Sequence, residues 1–258
     1  MKQNHKILLT FDVEEFDLPL EYELPIEQEE QFQVGKRGLD IVENILSNAA
    51  VETTLFTTAN FASQFPEDIN RLAQNHEIAS HSFYHTGFKK EDLLNSRIKL
   101  EEISGKSVEG LRMPRFREVE VEWVREAGYH YDSSINPTFI PGRYNHRNLP
   151  RTIYKDQEML RVPCSVTPNL RLPLFWLSFK NMSYPIYKRL ALQTLRRDGY
   201  LSLYFHPWEF TDLSTYALPG YVKRKDSIVL QERLIQLIND LKSVADFCSI
   251  STFLKDRK

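Results

Sequence analysis

The chain has little glycine, little cysteine and no long apolar run, and each shortage narrows what it can be. Nine glycines in 258 residues, none of them in a Gly-rich phosphate loop, argue against a P-loop or Rossmann nucleotide site. The two cysteines, Cys164 and Cys248, stand far apart without metal or redox spacing and read as buried, reduced thiols. No apolar stretch nears the roughly 20 residues of a membrane span. The polar segment Met1–Lys6 is followed by about five apolar residues before Asp12, short of the ~7–15 of a secretory core, so a cytoplasmic location is expected. A net charge of -2 lacks the basic excess of a protein built to bind nucleic acid.

What is present is an ordinary globular composition, 41% hydrophobic and 26% charged. Strand-like runs alternate with helical ones. Strands are expected at His5–Phe11, Thr53–Thr57, Glu77–Ser80, Val108–Arg112, His130–Ser133, Leu160–Pro163, Tyr200–His206 and Phe247–Ser251. Helices are expected at Arg37–Ala49, Pro66–Asn75, Lys90–Ser104, Val119–Ala127, Tyr184–Arg197 and Ile228–Val244. Such alternation implies a parallel sheet, and seven or eight repeats favour a barrel over an open sheet. With no internal repeat or linker, residues 1–258 are read as one domain. Two long loops interrupt the rhythm. Residues 17–35 continue an acidic stretch with nine carboxylates between Asp12 and Gly35, and 134–185 is rich in proline and aromatics.

Chemistry gathers at the C-terminal ends of the expected strands, where barrel enzymes carry their sites. His81 and His85 follow Glu77–Ser80, and one helical turn would set both imidazoles on one side, ready to share an ion. Alone the pair fits surface or core histidines equally well. A carboxylate would complete it. Asp12 and Glu14 share one face of an extended chain, so one can bind metal and the other take a proton from water; Glu15 points away and reads as a solvated loop carboxylate. Arg112 ends another strand, suited to hold a catalytic carboxylate, and Asp132 ends the next, suited to orient Arg112 or His206. His206 closes the apolar run Tyr200–Phe205 and has the chemistry of a proton donor. Arg115, Phe116, Trp208 and Glu209 are candidate pocket or substrate contacts.

At these residues the chain resembles the polysaccharide deacetylase family (the NodB-homology domain, carbohydrate esterase family 4), from Thr10 to Phe253. Thr10-Phe11-Asp12 matches its first motif, His81 and His85 its histidine pair, Arg112 and Pro114 its Arg-x-Pro, and Leu203–His206 its final strand. Val13 stands where the family has a second aspartate, and Glu14 offers a carboxylate one place later. The resemblance implies a single-domain α/β fold, a distorted (β/α)7–8 barrel. It further implies a divalent metal, zinc by default with iron, cobalt or nickel as substitutes, held by Glu14, His81 and His85. Asp12 would be the base, His206 the acid, and an N-acetylated or similarly acylated sugar the substrate. A branch acting on cyclic imides gives the alternative of an imidase or amidase; a silent glycan-binding barrel is the non-enzymatic alternative. Residues 143–197 carry eleven Lys or Arg against two acidic residues, with Leu174–Phe179 among them. This suits either an aromatic core with a solvated basic face or peripheral contact with an anionic membrane. Oligomeric state has no signal in the sequence.

Overall fold

The computed structural model describes residues 5–257; the polar segment before residue 5 and the last residue lie outside them. The eleven strands are β1 Lys6–Val13, β2 Thr54–Thr57, β3 Glu77–Ser80, β4 Gly110–Leu111, β5 Tyr131–Asp132, β6 Phe139–Ile140, β7 Tyr144–Asn145, β8 Tyr154–Asp156, β9 Met159–Arg161, β10 Tyr200–Phe205 and β11 Asp246–Phe247. The helices are α1 Gln28–Ala49, α2 Ala59–Gln64, α3 Pro66–Leu72, α4 Glu91–Ser104, α5 Val121–Glu126, α6 Trp176–Asn181, α7 Tyr184–Asp198, α8 Gly220–Lys223, α9 Ser227–Lys242 and α10 Ile250–Lys255. One curled sheet runs β10-β1-β2-β3-β4-β5-β9-β8, with β11 also on β1. All of its pairings are parallel except β8 with β9. The expected barrel is thus present in its distorted form. No ladder joins β9 to β10; the gap is bridged where Ser165 N–H donates to Ser202 O and Ser202 N–H to Ser165 Oγ.

The side-chain alternation of β1 explains both the core and the site. Ile7, Leu9, Phe11 and Val13 pack outward into the main helix-facing core, while Leu8 belongs to the interior cluster with Phe56, Tyr131 and Tyr200. Thr10 and Asp12 follow Leu8 on that interior face. β10 repeats the pattern, with Leu201, Leu203 and Phe205 outward and Tyr200 inward. Burial on both faces accounts for the nearly continuous apolar run of each strand. In register, Phe11 lies beside Phe205, Asp12 beside Phe56, Thr57 beside Ser80, Ser80 beside Leu111 and Leu111 beside Asp132. The residues that leave these strands therefore emerge at one mouth.

Three expectations change. Helix α1 begins at Gln28 rather than Arg37, so most of the expected 17–35 loop is helical or, at Leu18–Tyr22, a short 3-10 turn. Gly35, just before the expected start, masked it, and both Gly35 and Gly38 are needed: a Cβ at Gly38 would lie 2.3 Å from Pro207 O, and one at Gly35 2.5 Å from Glu14 O. The terminal strand expected at Phe247–Ser251 stops at Phe247, because Ser249 caps α10 by accepting from Thr252 N–H. Ile250 and Phe253 of that helix then join the interior apolar cluster. Finally, the 134–185 segment folds into the hairpins β6–β7 and β8–β9 and helix α6.

Alanine in place of glycine normally stabilises a helix by about 0.5–1 kcal/mol. Here the close approach reverses the sign. Gly35→Ala and Gly38→Ala are each expected to lower stability by about 1–3 kcal/mol in urea titration, because α1 must back away from the segments carrying Glu14 and His206.

Candidate active site

Arg112 occupies the floor of the mouth with no exposed surface. Its Nη1 donates to Asp12 Oδ1 at 2.6 Å and to Thr10 Oγ1 at 2.8 Å, and its Nη2 to Ser133 Oγ at 3.0 Å. The guanidinium lies 4.0 Å from the centroid of Phe56 and 5.3 Å from that of Tyr204. Asp12 Oδ2, on the side away from Arg112 Nη1, is 3.9 Å from His206 Nε2. The expected pairing of Arg112 with Asp12 is therefore formed.

The expected role of Asp132 is not. Its Oδ1 accepts from Ser134 N–H and the Ser134 hydroxyl, and its Oδ2 is 3.2 Å from Arg161 Nη1. In a parallel ladder, residues in register share a face. Asp132 pairs in register with Leu111, on the outward side, so the next residue, Ser133, turns inward to Arg112. A count of strand ends cannot tell these two neighbours apart.

Glu14, His81 and His85 converge as expected, all three buried. Glu14 Oε2 is 3.1 Å from His81 Nε2 and 3.1 Å from His85 Nε2. The histidines are not on a helical turn. Residues 81–85 are irregular, with Ser82 in the left-handed region at φ 65°, and that bend rather than helical spacing brings the rings together. His81 Nδ1 is 2.8 Å from the Arg112 carbonyl, and His85 Nδ1 is 2.8 Å from Asp17 Oδ1. Both partners are acceptors, so each Nδ1 carries hydrogen, and a ring that gives up its second proton presents its Nε2 lone pair. Two lone pairs then face a carboxylate oxygen that accepts no hydrogen bond. A cation among them resolves that conflict. Two ligand atoms each about 2.0–2.2 Å from one ion stand roughly 3–3.5 Å apart, which the 3.1 Å separations match. The residues fit a divalent metal, and imidazole with carboxylate suits zinc, iron, cobalt or nickel.

Without a cation the same cluster is electrostatically extreme. Burial alone would raise the Glu14 carboxyl, yet the charges of His85, His81 and His206 hold it far below the usual carboxylate range. Burial disfavours a charged His85, but Glu14 and Asp17 prevail and push it up to about 9. Asp17 was not expected from the sequence. Beyond its bond to His85 it accepts from Thr86 Oγ1 at 2.9 Å and from Arg115 Nη2 at 3.2 Å, and its only sequence signal is membership of the acidic stretch.

His206 Nδ1 pairs with Glu209 Oε1 at 3.0 Å, and the same oxygen accepts the His206 backbone N–H at 2.7 Å. Glu209 is fully buried behind His206 and does not wall the pocket as expected. Histidine, proline and a glutamate at the third position form a capping arrangement that could have revealed it. Burial opposes protonation of His206, but Glu209, Glu14 and Asp12 raise its pKa above the ordinary histidine value. Trp208 stacks on His206 at 4.9 Å between centroids and donates Nε1–H to Glu14 Oε1 at 3.1 Å. Glu15, expected to be solvated, is buried and accepts from Thr58 and Asn60 at 3.0 Å.

These groups open into a cavity of about 300 Å³ that Arg115, Phe116 and Trp208 line as expected, with Tyr144, Trp176 and Tyr204 beside them. Arg115 and Phe116 sit there in left-handed backbone, φ 56° and 54°. Glu21 bridges Arg115 and Arg143 at the rim. Both cysteines are free and buried, as expected.

A curled, mostly parallel sheet with a buried Glu-His-His trio beside an Asp–Arg pair is the layout implied by the Thr-Phe-Asp, histidine-pair and Arg-x-Pro motifs taken together. The polysaccharide deacetylase family model matches residues 2–131, half of the chain, and the chain belongs to that family. No curated protein matches it. Among solved structures, a protein described as a polysaccharide deacetylase from Mycobacterium smegmatis aligns over 99% of this chain and 91% of its own, with TM-score 0.64 and 18% identity. Puue allantoinase aligns over 96% of this chain and 88% of its own, with TM-score 0.65 and 16% identity. A CE4 family pseudoenzyme from Bacillus anthracis aligns over 98% of this chain and 66% of its own, with TM-score 0.54 and 12% identity. At these identities the likeness concerns the fold. Among the described residues, no helix is long and apolar enough to cross a membrane.

Metal analysis of the purified chain tests the trio. About one divalent ion per chain is expected, lost in Glu14→Ala and His81→Ala and retained in Asp12→Asn. Asp17→Asn, which removes the carboxylate behind His85, should weaken binding roughly 10–100-fold. Because metal-free His85 holds a proton up to about pH 9, uptake of zinc at pH 7 must release protons, and affinity must rise between pH 7 and 9. Uptake without proton release would contradict this arrangement.

Proposed function

We propose that this chain is a metal-dependent hydrolase that removes an N-acetyl or similar acyl group from a carbohydrate. The observation that carries the reading is the pairing of Asp12 Oδ2 with His206 Nε2, 3.9 Å apart, beside a Glu-His-His trio whose central oxygen has no hydrogen bond. Glu14, His81 and His85 would hold the cation. When bound, it supplies Lewis acidity toward the acyl carbonyl and makes a water molecule more acidic. The rest falls to side chains. Arg112 fixes Asp12 through Oδ1 and leaves Oδ2 to take the proton of the attacking water. His206, whose protonated form is favoured by Glu209, Glu14 and Asp12 against the cost of burial, would give its proton to the departing amine from Nε2. Its Nδ1 stays on Glu209, so the ring cannot turn away.

The family supports a sugar substrate. The lining supports it too, since Phe116, Tyr144, Trp176 and Tyr204 put aromatic rings around the cavity. Zinc is the first choice of metal. The likeness to an allantoinase favours a second reading, an imidase or amidase on small cyclic amides. The silent-barrel reading has a precedent in the pseudoenzyme, but this chain has a base, an acid and a complete trio, which a binder does not need. Within the basic 143–197 stretch Leu174, Phe175 and Phe179 are buried, so an aromatic core with a solvated basic face is favoured over peripheral membrane contact.

Acetate release from N-acetylated oligosaccharides, run beside ring opening of cyclic imides, separates the readings. The zinc-loaded chain should release acetate. Asp12→Asn and His206→Ala should each reduce the rate by about 10²–10⁴-fold while still binding metal. Turnover of imides alone would select the second reading. Turnover of neither by fully metallated protein would sink both.

A further inference from the structure

Behind His206 lies a buried charged pair that the proposed chemistry has not used. Glu209 spends Oε1 on His206, and its Oε2 accepts nothing. Lys180 Nζ stands 3.9 Å from that oxygen, both side chains are fully buried, and Nζ has no hydrogen-bond partner. Burying an ammonium is costly, and a neutral side chain of similar length would fill the space without that cost. The charge at position 180 therefore calls for a reason other than packing.

Helix α6 touches His206 in a second way. Trp176, in its first turn, sets a ring edge against the imidazole, 5.3 Å between centroids at 90°. One short helix thus carries both a wall for the ring and the cation facing the ring's partner carboxylate.

We infer that Lys180 is a positioning residue for His206, acting through Glu209 to loosen the hold of the imidazole on its proton. The charged groups around His206 are Asp12 and Glu14 from β1 and its end, and Glu209 from the turn that follows; Tyr204 and Trp208 pack beside it. All three carboxylates favour the imidazolium. Arg112 draws on Asp12 from the floor, and Lys180 draws on Glu209 from behind. With its negative charge shared between two cations, Glu209 still holds Nδ1 but no longer fixes the proton so tightly. A donor must keep its proton until attack and then release it, which needs such a balance. Burial lowers the pKa of Lys180, and only Glu209 and Asp226 oppose that loss; the charge of Lys180 is therefore itself part of what the test must read.

The inference rests on reading His206 as the proton donor, but the coupling is measurable without substrate. The ring nitrogens of His206 are titrated by NMR in ¹⁵N-labelled chain supplied with zinc. In Lys180→Met, His206 should bind its proton about tenfold more tightly. In a Glu209→Gln background the same substitution should change it by less than about twofold, because the conveying carboxylate is gone. An unchanged titration in Lys180→Met, or equal changes in both backgrounds, would overturn the inference. If Lys180→Met fails to fold, the wild-type chain decides: Lys180 Nζ must report an ammonium across the pH range where His206 titrates, and a neutral amine there overturns it. A failed acetate assay would count against the proposed function and leave this coupling standing.

Discussion

The site is built around the guanidinium of Arg112, and most of what surrounds it follows from the need to satisfy that buried cation. Its nitrogens reach Asp12 and Thr10 on β1 and Ser133 beyond β5, while its flat face lies over Phe56 of β2 and toward Tyr204 of β10. Thr10 in turn donates to the Leu203 carbonyl of β10. One planar group thereby ties together the sheet where it curls. Its own carbonyl fixes the tautomer of His81, so the proposed base and a proposed metal ligand are set by the two ends of one residue. Removing one partner from such a buried pair typically costs about 3–5 kcal/mol. The site and the curled sheet therefore share their stability.

A common arrangement recurs around this centre. Each candidate group has one polar atom engaged from behind and another turned to the cavity. Asp12 is held through Oδ1, Glu14 through Oε1 by Trp208, and His81, His85 and His206 through Nδ1. That leaves Oδ2, Oε2 and three Nε2 atoms facing inward, where a cation and an acyl group would sit. Orientation fixed in advance by a rear hydrogen bond is what lets such groups act without reorganising. It also explains how so many polar side chains are accommodated while buried.

Much of this was legible in the sequence because it depends on local order. The parallel strands near Asp12, His81, Arg112 and His206 were found within two or three residues, since buried strands read as apolar runs and helices as periodic ones. Asp12, Glu14, His81, His85, Arg112 and His206 followed from their positions at strand ends. Other features were hidden for definite reasons. The early start of α1 was masked by Gly35, whose use, like that of Gly38, is close packing rather than turning. The pairing of His81 with His85 was foreseen but its cause was not, because a left-handed Ser82 rather than a helical turn joins them. Asp132 stands at a strand end like the others, and only the register against Leu111 shows that its neighbour Ser133 faces inward instead.

By itself the sequence determined the order of strands and helices and the set of ionisable groups delivered to one mouth, because alternation and strand termination are properties of neighbouring residues. The tertiary structure decided which atoms of those groups remain free. Asp17 reaches His85 across 68 positions and Arg112 reaches Asp12 across 100, while Lys180 meets Glu209 only where α6 packs behind the last strand of the site. Such pairings depend on register, on the curl of the sheet and on the exclusion of water, and none of these is written in any short stretch of chain.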